Sequence, residues 1–169
     1  MLYNEYLNDT NPRVLLEVKD FGNILLELFP STAPITVDNF LKLVDEKFYD
    51  GLIFHRIIEG FMIQGGDPTG TGCGGSKDTI KGEFKTNRVD NNLNHTKGVI
   101  SMARTMMPNS ASSQFFIMHE DAPHLDGGYA AFGATIEGLD VIDKIATVKT
   151  DYSDKPLEDV VILSARRVR

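Results

Sequence analysis

Two stretches of this chain hold the side chains best suited to chemistry. Residues 53–67 read IFHRIIEGFMIQGGD and residues 113–118 read SQFFIM. Together they supply one arginine, two glutamines, a histidine and several large apolar side chains. Neither sets a Ser, Cys or Lys nucleophile beside a base, a pair of carboxylates or a cluster of metal ligands. A fixed cation, amide groups and apolar surface suit binding rather than acid–base or covalent chemistry. They can take a neutral, apolar group lying next to a carbonyl, and a proline within a peptide is such a group.

These residues need a scaffold, and 169 residues are enough for one domain with a proper core. A hydrophobic content of 41% with 24% charged residues is ordinary for a globular chain and argues against disorder. The net charge of −7 argues against a nucleic-acid or anionic-membrane surface, since both need a basic field. No stretch approaches the roughly 18 apolar residues that cross a bilayer. The opening MLYNEYLNDTNP lacks the basic start and apolar run of a secretory signal. The lone Cys73 rules out an intramolecular disulfide and fits a reducing compartment. A cytoplasmic monomer is therefore expected, with residues 1–12 as a polar arm and 13–169 as the domain.

Val14, Leu16 and Val18 alternate with Leu15, Glu17 and Lys19, the period of a half-buried strand. After the turn at Asp20-Phe21-Gly22-Asn23, residues 24–29 return as its hairpin partner. A helix follows Pro34, with Ser31 or Thr32 as its candidate cap and Val37, Phe40, Leu41 and Val44 on one face. A second helix is expected over 139–147, striped by Val141, Ile142 and Ile145. Short strands are expected at 52–58, 61–64, 98–103, 113–118, 129–134 and 159–167. Many short strands with only two helices predict a mainly β, closed antiparallel sheet. The glycine-rich region 65–82 fits no regular element.

Register decides which side chains meet. A three-residue loop at Glu59, Gly60 and Phe61 pairs Arg56 with Gln64 and Ile58 with Met62, so Arg56, Met62 and Gln64 project together. A two-residue loop pairs Arg56 with Ile63 instead, and the sequence leaves both open. Alternation in SQFFIM puts Gln114, Phe116 and Met118 on one face and Ser113, Phe115 and Ile117 on the other. On residue type alone, Arg56 reads as a solvated edge charge, Phe61, Met62 and Phe116 as core, and His55 as a structural histidine. Three decoys fail on context. Gly70, Gly72 and Gly75 match a dinucleotide fingerprint, but no helix period follows. Gly75-Ser76-Lys77 is in the wrong order for a phosphate-binding loop. His119, Asp121, His124 and Asp126 fit no standard metal spacing.

Taken together and in order, the motifs identify a family. They are Phe54-His55-Arg56, Gly60-Phe61-Met62-Ile63-Gln64-Gly65-Gly66-Asp67, Ser101-Met102-Ala103, Ser113-Gln114-Phe115-Phe116-Ile117, Leu125-Asp126-Gly127 and Phe132-Gly133. Over residues 13 to 168 the chain resembles the cyclophilin-type peptidyl-prolyl cis–trans isomerases, most of all their small bacterial single-domain members. The resemblance implies a closed eight-stranded antiparallel β-barrel capped by two α-helices. It also implies an isomerase that turns Xaa-Pro bonds in unfolded or flexible proteins, without cofactor or metal.

By position, the resemblance makes Arg56 the catalytic arginine, assisted by Gln64 and Phe61. Phe61, Met62, Phe116 and Leu125 would form the proline pocket, with Gln64 and Gln114 as polar partners. His55, Ala103 and Arg104 would line the peptide groove, and His124 and Tyr129 its far wall. His124 stands where drug-sensitive members carry a tryptophan, so reduced cyclosporin affinity is expected. Arg104 replaces a common asparagine, Thr105-Met106-Met107 lengthens the next loop, and Gly128 replaces a longer polar side chain. A rival reading is a module that grips proline-containing segments without turnover, but Arg56 and the pocket residues are all present. A metal- or nucleotide-dependent hydrolase lacks a ligand set.

Overall fold

Alternating burial drives the first hairpin. In β1 (Arg13–Val18), Val14, Leu16 and Val18 are buried while Glu17 is exposed. β2 (Gly22–Leu28) returns against it with Ile24 opposite Leu16 and Leu26 opposite Val14. The computed structural model describes residues 3–169, so Met1 and Leu2 of the expected arm lie outside the described residues. α1 (Pro34–Asp45) starts on a proline, whose missing N–H has no intrahelical partner to lose. The cap expected from Ser31 or Thr32 is not made; the N-cap is Ala33, without a side-chain bond. Instead the buried Glu83 accepts bonds from the Thr36 N–H at 2.6 Å and the Thr36 hydroxyl at 2.7 Å. A carboxylate from a distant loop thus meets an orphan donor at the positive end of the helix.

The remaining elements are β3 (Arg56–Ile58), β4 (Met62–Gly65), β5 (Val99–Met102), β6 (Phe115–Met118), β7 (Ala131–Glu137), α2 (Leu139–Ala146) and β8 (Ile162–Arg167). One sheet holds all eight strands, in the order β3-β4-β6-β5-β7-β2-β1-β8. The expected closed barrel does not form: β3 and β8 are edges and do not pair. β3 is three residues long, not the strand over 52–58 that the sequence suggested. Its Ile57 N–H bonds to the Asp154 carbonyl at 2.8 Å, in a loop rather than in β8. Only the bridge between Ile53 and Val161 and a few backbone bonds, such as Phe54 N–H to the Val160 carbonyl at 3.0 Å, span the gap. The sheet is a curled, open half-barrel with two helices.

Two apolar clusters use the two faces of this sheet. Phe115 and Ile117 of β6 join the inner one, where the Phe40 ring lies 5.1 Å from Tyr49, 5.7 Å from Phe115 and 5.3 Å from Phe132. Phe116 and Met118 join the outer one with Phe29, Met62, Val99 and Leu125. A period of two therefore serves two cores, and all of β6 is buried. The described part of the N-terminal arm, residues 3–12, is docked. Tyr6 stacks on Phe29 at 5.3 Å, and the buried Glu27 carboxylate meets Arg13 at 3.1 Å, Arg169 at 3.0 Å and the Asn11 amide at 3.0 Å. No described helix is long and apolar enough to cross a membrane.

Candidate active site

The β3–β4 hairpin adopts the three-residue connection. Arg56 pairs with Gln64 and Ile58 with Met62, and Gly60 turns at φ 79°, where a side chain would be strained. The Gly60 N–H donates to His119 Nδ1 at 2.9 Å. On the other side of β4, Gln64 lies opposite Phe116 of β6. Arg56, Met62, Gln64 and Phe116 thus reach the outer face of the sheet together.

A directed chain of hydrogen bonds fixes the polar side. Gln114 Nε2 donates to the carbonyls of Gly72 at 3.0 Å and Gly74 at 2.8 Å. Its Oε1 must then face Gln64, whose Nε2 donates to it at 3.0 Å. That turns Gln64 Oε1 toward Arg56, which donates from Nη1 at 3.3 Å. Two loop carbonyls therefore set the orientation of both amides and, through them, of the guanidinium. The loop is itself held by the buried Asp67. Its Oδ1 accepts from the Thr69 N–H and hydroxyl, both at 2.8 Å, and its Oδ2 from Gly72 N–H at 2.6 Å and Gly74 N–H at 3.1 Å. Burial alone would raise this carboxyl, but the hydrogen bonds from Thr69, Gly74 and Gly72 outweigh it and bring it down to about 2. Residues 67–74 of the region that showed no period are ordered by this one carboxylate, and its far end is tied by the Ile80–Ala111 bridge and the Gly82 N–H donating to Asn109 Oδ1 at 3.1 Å.

Beside the guanidinium is a recess of about 130 Å³, lined by Phe61, Met62, Phe116, Leu125 and Tyr129 with Arg56, Gln64, Ala103 and Arg104 at its mouth. Apolar cavities of about 150 Å³ hold a benzene ring, so a five-membered ring fits this one. A wider recess of about 510 Å³ adjoins it, sharing Gln64, Ala103 and Arg104 and adding Gln114 and Cys73. Arg104 forms the ridge between them. Its guanidinium lies 4.7 Å from the Phe84 ring and 4.6 Å from Tyr129, and it donates to the Gly128 carbonyl at 3.0 Å and the Thr105 carbonyl at 2.9 Å. Its charge is occupied within the protein.

Two expected site residues stand apart. His124 is exposed and tilts against Phe61 at 5.7 Å, at the rim. His55 is only 6% exposed and lines neither recess, and neither ring nitrogen finds a partner among the described residues. Burial lowers its pKa, opposed by the Asp67 charge and assisted by Arg56 and Lys155. The four residues tested as metal ligands are spread over other tasks. His119 binds Asp143, Asp121 accepts the Lys97 N–H, and Asp126 is taken up by His95. Among the described residues no three His, Cys, Asp or Glu converge on a metal position.

One buried group escaped the sequence reading. His95, 1% exposed, bonds through Nδ1 to Asp126 at 2.9 Å and through Nε2 to the Ser101 hydroxyl at 2.8 Å, and its ring stacks on Phe116. The signal available was Leu125-Asp126-Gly127, where an acidic residue directly follows a pocket residue.

Residues 13–167 match the family described as cyclophilin type peptidyl-prolyl cis-trans isomerase/CLD. The peptidyl-prolyl cis-trans isomerase ppi1 of Schizosaccharomyces pombe is 46% identical over 145 residues, covering 85% of this chain and 92% of that one. The peptidyl-prolyl cis-trans isomerase-like 1 of Gibberella zeae is 47% identical, covering 87% and 90%. Both are fungal, so these relatives lend no support to the expected bacterial membership. A crystal structure of a Cryptosporidium parvum cyclophilin type isomerase superposes with a TM-score of 0.86 at 34% identity, covering 94% of this chain and 98% of that one. A second, determined in the presence of the dipeptide Ala-Pro, gives 0.83 at 35% identity, covering 91% and 97%. The chain belongs to the cyclophilin-type peptidyl-prolyl cis–trans isomerases.

Proposed function

We propose that this isomerase works on proline-containing segments of unfolded or flexible proteins, as a cytoplasmic monomer, with Arg56 as its catalytic residue. The observation that carries this reading is the hydrogen-bonded chain from the Gly72 and Gly74 carbonyls to Arg56, ending beside an apolar recess of ring size. The Ala-Pro dipeptide in a related structure's preparation supports the class of ligand. An exposed, free Cys73 fits the compartment.

Rotation about an Xaa-Pro bond meets a barrier of ~18–20 kcal/mol and takes tens to hundreds of seconds unaided. Twisting breaks amide resonance: the nitrogen becomes pyramidal and its lone pair is exposed. No bond to carbon forms or breaks, so no nucleophile is required. Each tenfold gain in rate needs ~1.4 kcal/mol of preferential transition-state binding. Phe61, Met62, Phe116 and Leu125 hold the ring while the chain before it turns. Arg56 donates to the prolyl carbonyl and toward the exposed lone pair. One preorganised donor is worth ~3–4 kcal/mol, so Arg56 supplies the largest single share. Its planar fork is why a lysine is no equal substitute. Without an indole at position 124, cyclosporin binds weakly while small peptides turn over normally.

In a protease-coupled assay on an Ala-Pro-Phe peptide, Arg56→Ala lowers kcat/KM at least a hundredfold with Tm unchanged. Near-normal turnover by a folded Arg56→Ala protein defeats the mechanism.

A further inference from the structure

The walls of the proline recess are not independent. His95 is absent from its lining and only 1% exposed, yet it touches three residues that form it or flank it. Its ring stacks on Phe116 at 5.9 Å and 17°. It meets Tyr129 edge-on at 6.5 Å, and Tyr129 in turn packs edge-on against Phe116 at 5.8 Å. Asp126, directly after Leu125, accepts from the His95 backbone N–H at 2.6 Å and contacts Nδ1 at 2.9 Å. On the other side Nε2 meets Ser101 Oγ of β5 at 2.8 Å. The ring is therefore pinned at both nitrogens and cannot rotate without losing a bond.

The order carboxylate, imidazole, hydroxyl is that of a hydrolytic triad, but the geometry excludes that role. Ser101 is 0% exposed and lines neither recess, so its oxygen cannot reach a substrate. With Nδ1–H donating to Asp126, Nε2 accepts from the Ser101 hydroxyl, and every polar atom of the imidazole is used. A buried imidazole bonded at both nitrogens is rigid and specifies one arrangement of what packs on it.

The geometry points to His95 as a positioning residue of the isomerase site: by contact with Phe116 and Tyr129, and through Asp126 with the adjoining Leu125, it holds three of the residues that line the proline recess in register. This rests on the reading of that recess as the proline pocket. The walls grip the ring in the planar and the twisted state alike, so loosening them weakens binding uniformly and raises KM. The Arg56–Gln64 pair lies on β3 and β4 and makes no contact with His95, so kcat is spared.

The test is a set of variants assayed at 10 °C on an Ala-Pro-Phe peptide, with kcat and KM measured separately. His95→Phe keeps a flat ring against Phe116 but loses both nitrogen bonds; KM rises at least fivefold while kcat stays within twofold. Asp126→Asn keeps an acceptor for the histidine and stays within twofold of wild type in both constants. Asp126→Ala removes that acceptor from a side chain 27% exposed, and reproduces the KM rise should His95→Phe fail to fold. A KM within twofold of wild type in the folded His95→Phe or Asp126→Ala protein, or a loss confined to kcat, overturns the inference while leaving the site reading intact. Equal activity of wild type and Arg56→Ala overturns both.

Discussion

Gln64→Leu separates holding the guanidinium from supplying it. The substitution removes the acceptor for Arg56 Nη1 at 3.3 Å and the donor to Gln114 at 3.0 Å, but leaves Gln114 tied to the Gly72 and Gly74 carbonyls. A hydrogen bond to a charged group is worth about 1.5–3 kcal/mol. At 3.3 Å, on an exposed arginine, the bond is worth no more than the bottom of that range, and a loss of about 1–1.5 kcal/mol corresponds to about a five- to tenfold drop in kcat/KM. Arg56→Ala loses the donor itself, at ~3–4 kcal/mol. Because Gln64 acts through Arg56, the two losses are not additive. In the protease-coupled assay the double variant Arg56→Ala/Gln64→Leu is therefore no slower than Arg56→Ala, within a factor of two. A further five- to tenfold loss on adding Gln64→Leu to Arg56→Ala would mean that Gln64 acts on substrate by itself and not through Arg56.

Three other outcomes are expected. Burial lowers the pKa of both His55 and His95; the unfolded chain therefore takes up protons first, and stability is full above about pH 7 and declines as pH falls below about 6.5. Asp67, lowered to about 2, adds stability present above about pH 3.8 and lost between there and about 2. Urea midpoints measured from pH 8 to 2 show both declines; a midpoint constant between pH 7.5 and 5 contradicts the first, and one constant below about pH 3.8 contradicts the second. Glu27→Ala leaves the Asn8 N–H and one N–H of the buried Asn11 amide without their acceptor, the other staying on the Tyr6 carbonyl at 2.9 Å, while Arg13 and Arg169, about a third exposed, turn to water. It costs about 1–3 kcal/mol in denaturant titration with kcat/KM unchanged. His124→Trp restores an indole at the rim beside Phe61 and tightens cyclosporin binding about tenfold or more by calorimetry; unchanged affinity contradicts the assigned role of position 124.

What the residues revealed follows how local the cause is. The spacing of Arg56, Gly60, Met62 and Gln64 limited the hairpin to two registers, and its three-residue form brings the arginine to the amide. Alternation in residues 113–118 sorted the aromatics onto two faces correctly, because both faces are buried against different cores. Closure of the barrel was misjudged because it depends on whether two strands far apart in sequence pair. The apolar character of residues 52–58 cannot show that Ile57 bonds to the Asp154 carbonyl rather than to β8. The helix cap was misplaced for the same reason: Ser31 and Thr32 are local candidates, and Glu83 comes from 47 residues away. His55 adjoins Arg56 in sequence, yet it turns inward because neighbours on an extended chain point to opposite sides. His95 went unread since its partners, Asp126 and Ser101, become neighbours only once β5 and the 123–126 turn are in place.

The most direct test is a crystal structure of this chain with a bound Ala-Pro peptide. The pyrrolidine ring is expected between Phe61, Met62, Phe116 and Leu125, and the Arg56 guanidinium within about 3.2 Å of the prolyl carbonyl oxygen while still held by Gln64. A ring seated elsewhere, or a guanidinium turned into solvent with the peptide in place, contradicts this expectation.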